Sequence, residues 1–430
     1  MANVVPTALA VQQRVSSSII PSSITRIPPG ESGWRYLVGE SAKRVLARPQ
    51  TRQLSSTTHS FSQAQRSLPA AYYRGGTSRA IFFNREDLPR DREEWGPIFL
   101  GTIGSPDPYG RQLDGLGGGI SSLSKICVVG PSDDPDADVD YTFVSIGVRD
   151  ASVDYSSNCG NMSSAVGPYA VDTKMVWPAL IKDAEGGAEV ATVRIRNTNT
   201  GKLIHAKFPV VDGEAAASGD FSIDGVSGSA APLQLDFIDP AGSRTGMLLP
   251  TGNPADEIDG VRATLIDAAN PCCFVLASDL GVSGTVSPAE IDADEALLAR
   301  LENIRRLAAV KMGLAETVDD VPGSVPKIAI VSAPRLSEAH IVVRAMSVGQ
   351  PHKAIPITVA LAVAAASKIP GTTVAENIVR AADDKSAGLV IAHASGQLTV
   401  AAEYDGHGHL SRASVFRTAR RLMEGRVFWK

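Results

Sequence analysis

The chain has 430 residues, 43% hydrophobic and 20% charged, which argues against disorder and leaves room for about three domains. Its longest apolar run, Ile355–Ala366, is too short to span a bilayer. A net charge of -5 with no basic stripe argues against a nucleic-acid-binding protein.

Residues 1–68 stand apart. They hold seven arginines, one lysine and only two acids, together with twelve serines and no aspartate. Arg-rich, Ser-rich and acid-poor is the composition of a mitochondrial transit peptide. Arg52–Thr57 reads as a cleavage neighbourhood. The fold is expected to begin near Ala70, and the expected location is the mitochondrial matrix, with the cytoplasm as alternative.

Tyr72–Phe83 reads as strand, turn, strand, with Arg74-Gly75-Gly76-Thr77-Ser78 as the turn. Trp95–Leu100 is predicted helical, and a glycine-rich passage follows over 101–119. Ile126–Val129 and Tyr141–Val148 read as strands. Asn158-Cys159-Gly160-Asn161 opens a helix of small residues that runs through Ala170. Val190–Asn197 and Lys202–Val211 read as paired strands. The second half repeats this grammar. Ala263–Ala277 is strand-like, Asp292–Lys311 is an amphipathic helix, and Lys327–Ser332 and Ile341–Met346 are strands. A polar loop, Ser347–Ala354, then leads into a second small-residue helix, Ile355–Ser367. A helix that is small and apolar all round is buried on all sides. Two such helices, each inside a curved sheet, imply an internal duplication with loops facing across a cleft.

Several residues carry candidate chemistry. Cys159 at a helix N-terminus would feel the positive end of the dipole, which favours thiolate. Lys125, at the start of an apolar strand, would be partly desolvated and able to act as a base. Backbone amides from Gly117 to Ser122 would cradle carboxylates; no βαβ context supports a dinucleotide loop there. His352-Lys353 precedes the second small-residue helix as Cys159 opens the first. His407 and His409 read as solvated turn residues, and Arg417–Arg421 as a solvated helix face. The four cysteines form no CxxC pair, so neither a zinc site nor a disulfide framework is expected.

Five motifs occur in order: Arg74-Gly75-Gly76-Thr77-Ser78, Gly104–Gly110, Asp114–Gly118, Ser121–Lys125 and Asn158-Cys159-Gly160-Asn161. With Asn270-Pro271, His352-Lys353-Ala354 and Arg417–Arg421, they resemble the PrpF family of 2-methylaconitate, methylitaconate and aconitate isomerases, from about Ala70 onward. The resemblance implies an α+β fold of the diaminopimelate-epimerase type. Two pseudo-equivalent domains, 69–255 plus 410–430 and 256–409, would each wrap a mostly antiparallel sheet around a central helix. It implies no metal or organic cofactor, and a lysine and a cysteine in the cleft, Lys125 and Cys159, as base and acid in either order. Ser78, Gly118, Ser122, Gly160, Asn161 and Asn270 would hold carboxylates, with Arg74 and Lys353 offsetting charge. The implied substrate is a small unsaturated tricarboxylate whose double bond moves by proton transfer. A homo-oligomer and a functional link to an aconitase-like dehydratase are compatible with this reading. The competing readings are a non-catalytic accessory of such an iron–sulfur dehydratase, and an amino-acid racemase. The racemase reading is weakened because no second cysteine lies in Ser347–Ala354.

Overall fold

A computed structural model describes residues 64–182, 189–334, 339–380 and 388–430. Nearly all of the expected leader therefore lies outside the described residues. The first strand starts at Arg66, and Ser67 accepts two hydrogen bonds from Arg426. The expected boundary at residue 68 thus falls inside a strand.

The first half contains β1 (Arg66–Gly75), β2 (Ser78–Asn84), α1 (Trp95–Ile103), β3 (Lys125–Pro131), β4 (Val139–Ile146), α2 (Gly160–Asp172), β5 (Glu189–Asn197), β6 (Leu203–Val211) and β7 (Leu233–Ile238). The second contains β8 (Val261–Ala268), β9 (Asn270–Leu276), α3 (Glu295–Lys311), β10 (Lys327–Ser332), β11 (Ile341–Ser347), α4 (Ile357–Ala366), β12 (Leu389–His393), β13 (Gly396–Tyr404) and β14 (Leu410–Arg417). A last strand, β15 (Ala419–Trp429), follows.

The pairing pattern is the same in both halves. β1 pairs with β2 antiparallel, β2 with β3 parallel, β3 with β4 antiparallel and β4 with β5 parallel; β6 and β7 then continue antiparallel. Likewise β8–β9 is antiparallel, β9–β10 parallel, β10–β11 antiparallel and β11–β12 parallel, with β13 and β14 antiparallel. Each parallel step is bridged by a helix, as a parallel crossover requires. α1 and α3 bridge the first step of each half, and α2 and α4 the second. This is the duplicated diaminopimelate-epimerase-like architecture that the sequence implied. β7 and β14 pair and join the halves, and β15 returns to pair with β1.

α2 and α4 are the buried helices. Every residue from Gly160 to Val171 is buried in α2, and all ten residues of α4 are buried. Small side chains let the sheet approach closely. A Cβ on Gly167 would sit 2.7 Å from the Phe208 ring. Both helices share one apolar core, whereas α1 and α3 pack apolar faces on separate clusters. Arg417–Arg421 is not a helix face. It is the corner between β14 and β15, because pairing with β1 extends this segment.

Candidate active site

Two lysines open equivalent strands. Lys125 is the first residue of β3 and Lys327 the first of β10. Ser145 lies opposite Lys125 in the β3–β4 register, and continuing the β10–β11 register puts Ser347 opposite Lys327. The two central helices direct their N-termini at the same cleft. Cys159 is the residue before α2, and Pro356 holds the matching place before α4. The helix starts touch: a Cβ on Gly160 would lie 2.8 Å from two carbons of Ile357. Only glycine permits that approach.

Asn270 holds this junction. Its Oδ1 accepts from the Asn158 N–H at 3.0 Å, and its Nδ2 donates to the Asn158 carbonyl at 2.7 Å and to Thr358 Oγ1 at 3.1 Å. One buried amide therefore links the starts of both central helices.

The cleft is lined by Ser78, Lys125, Ser145, Cys159, Gly160, Asn161, Lys327, Ser347 and His352, among others, and among the described residues no carboxylate lines it. Two helix N-termini and two lysines make a strongly electropositive site, suited to a polyanion. The Lys125 ammonium lies 5.0 Å from the centre of the Phe143 ring, a cation–π arrangement. Lys327 is 8% exposed and donates to the Ser324 carbonyl at 2.9 Å. Burial first, and then repulsion from Lys125, pulls its pKa down to about 8. His352 opens to the cleft at its surface but lies deep among protein atoms. Burial, and next the charge of Lys125, lowers its pKa to about 3, so it is neutral. Its Nδ1 accepts from the Ala354 N–H at 3.0 Å, which leaves the proton on Nε2.

Of the four cysteines, Cys159 alone is not buried. Burial pushes the thiols of Cys127, Cys272 and Cys273 up, which leaves them inert at neutral pH. No three His, Cys, Asp or Glu side chains among the described residues gather as a metal site would require.

The structure brings together Lys125, Cys159, Ser78, Gly160 and Asn161 from the sequence-based set. The other five lie elsewhere. Arg74 donates to Gly76 and Thr418 and ties a turn to the last strand corner. Asn270 is fully buried and acts as the helix link. Lys353 is exposed, and its backbone carbonyl accepts from Ser395. Gly118 and Ser122 lie outside the cleft lining. Three of the six amides expected to form a cradle over Gly117–Ser122 already have partners within the protein. Those of Gly117, Gly119 and Ser121 donate to Ile103, Gln112 and Gln350.

Lys327 and Ser347 were not in that set, and His352 was a candidate only through its place before the second small-residue helix. A signal for Lys327 was present in the chain: Ser122-Leu123-Ser124-Lys125-Ile126 and Ser324-Val325-Pro326-Lys327-Ile328 share Ser-x-x-Lys-Ile. The duplication, read one step further, would have found the second lysine.

Residues 65–430 match the family model described as PrpF protein. The chain belongs to the PrpF family. A 3-methylitaconate isomerase of Eubacterium barkeri is 40% identical over 383 residues, 85% of this chain and 97% of the relative. A 2-methyl-aconitate isomerase of Cupriavidus necator is 39% identical over 388 residues, covering 84% and 96%. A crystal structure of methylitaconate-delta-isomerase is similar at a TM-score of 0.67 and 39% identity, covering 85% of this chain and 96% of that one. The fold is that of these PrpF-family isomerases.

Proposed function

We propose that this PrpF-family isomerase moves the double bond of a small unsaturated tricarboxylate, such as aconitate, 2-methylaconitate or an alkyl-aconitate, by proton transfer alone. The observation that carries this reading is the cleft itself. Two lysines and one accessible thiol meet where two helix N-termini converge, and no carboxylate among the described residues lines the space. A base takes a proton from the CH₂ vinylogous to a carboxylate. The charge spreads into that carboxylate as a dienolate, and a proton returns at the other end. Preorganised cations and N–H donors stabilise the dienolate most where water is excluded. Lys125 and Cys159 are assigned the transfer. Lys327, its pKa lowered by burial to about 8, is a second ammonium that stabilises the dienolate or exchanges the proton.

The test is NMR of purified protein in D₂O with cis-aconitate or 2-methylaconitate. Double-bond movement with deuterium incorporation is expected. Recovery of unlabelled, unchanged substrates across a panel of alkyl-aconitates would defeat the reading.

The N-terminal segment is proposed to be a mitochondrial leader. The arginine and serine content of residues 1–68 supports this, and so does the family match, which begins only at residue 65. Import assays with the full chain and with a chain starting at Ser62 test it. Equal import of both would refute a leader.

A further inference from the structure

Arg417, the last residue of β14, is 2% exposed, yet its Nε–H has no hydrogen-bond partner among the described residues. It takes part in no ion pair among the described residues, and burial lowers its pKa. Its neighbours in sequence and space are treated differently. Arg421 pairs with Glu214 and Glu424, and Arg74 is held by Thr418. An unpaired guanidinium buried in a protein is costly, because its hydration is lost with nothing in return. Such a group is retained where an anion is to arrive.

The position says which anion. A Cβ at Gly76 would collide with Asn161 Oδ1 and touch Arg417 Cδ at 3.5 Å, an ordinary contact, so Arg417 and Asn161 flank one glycine of the β1–β2 turn. Asn161 is the second residue of α2 and lines the cleft. Its amide also bonds Thr77, accepting from the N–H at 3.3 Å and donating to Oγ1 at 3.2 Å. Arg417 Cδ therefore lies against the β1–β2 turn that packs on the start of α2, one layer behind the residues that line the cleft. His393 close by is kept neutral, by burial first and then by Arg417 itself, with a pKa of about 4, so it offers no counter-charge.

We propose that Arg417 receives the substrate carboxylate farthest from the reacting carbons, which makes it the anchor that selects three carboxylates over two. The inference rests on the tricarboxylate reading above. A guanidinium fits the task because it holds a carboxylate through two parallel N–H bonds.

The experiment uses ligands that cannot isomerise, so binding is read apart from turnover. Propane-1,2,3-tricarboxylate and propane-1,2-dicarboxylate, which lacks one terminal arm, are titrated by calorimetry into the wild type, Arg417→Met and Arg417→Lys. The wild type should favour the tricarboxylate. Arg417→Met should weaken it by at least about tenfold, the scale of a lost charged hydrogen bond, and change dicarboxylate affinity less than about twofold. Arg417→Lys should fall between. The ligand-free Met variant should melt no lower than the wild type, because an unpaired charge has gone. Equal loss for both ligands, no loss for either, or unfolding of both variants would mark a structural arginine and overturn the anchor. A wild type that binds neither ligand would overturn the tricarboxylate reading, and the anchor with it.

Discussion

The two halves bring the same scaffold to the cleft and different chemistry on it. Lys125 and Lys327 open equivalent strands, with Ser145 and Ser347 opposite them. The central helices start at equivalent places, yet Cys159 precedes one and Pro356 the other. The duplication therefore supplies charge twice, as two ammonium groups and two helix dipoles. The thiol is supplied once. A racemase built on matched thiols would need a second acid where Pro356 stands, and proline has neither a thiol nor an N–H. The asymmetry suits a reaction that leaves at one carbon and returns at another, in the field of a symmetric anion cradle.

The comparison can be broken most severely at the first lysine. Lys125→Ala should lower turnover by about 10³-fold, within the range for a lost general base, while leaving the thermal midpoint within a few degrees. Lys125→Arg should fail as well, because a guanidinium keeps its proton. Wild-type rates in the arginine variant would transfer the base to Lys327.

Cys159→Ser should cost roughly 100-fold in kcat with little change in KM, because the helix N–H groups remain. A thiol reagent should label Cys159 ahead of the three buried cysteines, and a bound tricarboxylate should slow that labelling. Labelling that is undiminished in Cys159→Ser would show the accessible thiol to be elsewhere.

A smaller effect tests the link between the halves. Asn270→Ala removes three hydrogen bonds and strands buried partners at both helix starts. Stability should drop by about 2–3 kcal/mol, read as a lower urea midpoint at unchanged slope. An unchanged midpoint would mean that the helix contact at Gly160 and Ile357 suffices.

The gentlest probe is pH. Lys327 has a folded pKa of about 8 against 10.5 for an ordinary lysine. Between those values the unfolded chain binds more protons than the folded one, so stability rises with pH. The penalty is full below pH 8 and is relieved toward pH 10.5. Lys327→Met should flatten this rise in urea midpoints measured at pH 7.5 and pH 10. Identical slopes in the two proteins would show that Lys327 titrates as a solvated side chain.

Much of this was legible in the chain itself. The small-residue helices predicted at Asn158–Ala170 and Ile355–Ser367 match α2 and α4 closely, because a helix of Ala, Ser, Gly and Val has one use, close packing on all sides. Lys125 and Cys159 were legible for a similar reason: each stands at an element boundary that local pattern marks. The failures share a cause. The amides of Gly119 and Ser121 looked free because their acceptors, Gln112 and Gln350, are assigned by loop geometry. Arg417–Arg421 looked solvated because a run of arginines is polar wherever it is read in isolation. Asn270 looked like a ligand group and proved to be a clip, since its partners lie 112 and 88 residues away in sequence.

The chain by itself determined the duplicated order of strands and helices, the buried central helices, and the lysine and cysteine at two element starts. These follow from periodicity, side-chain size and capping, which act over a few residues. Only the tertiary structure decided that the two helix N-termini meet, that Lys327 faces the same space as Lys125, and that the Nε–H of Arg417 is buried without a partner among the described residues. Each of these depends on which distant segments share a surface. Burial and Coulomb interaction then set the charge of His352 and Lys327, and neither acts until the chain has closed on itself.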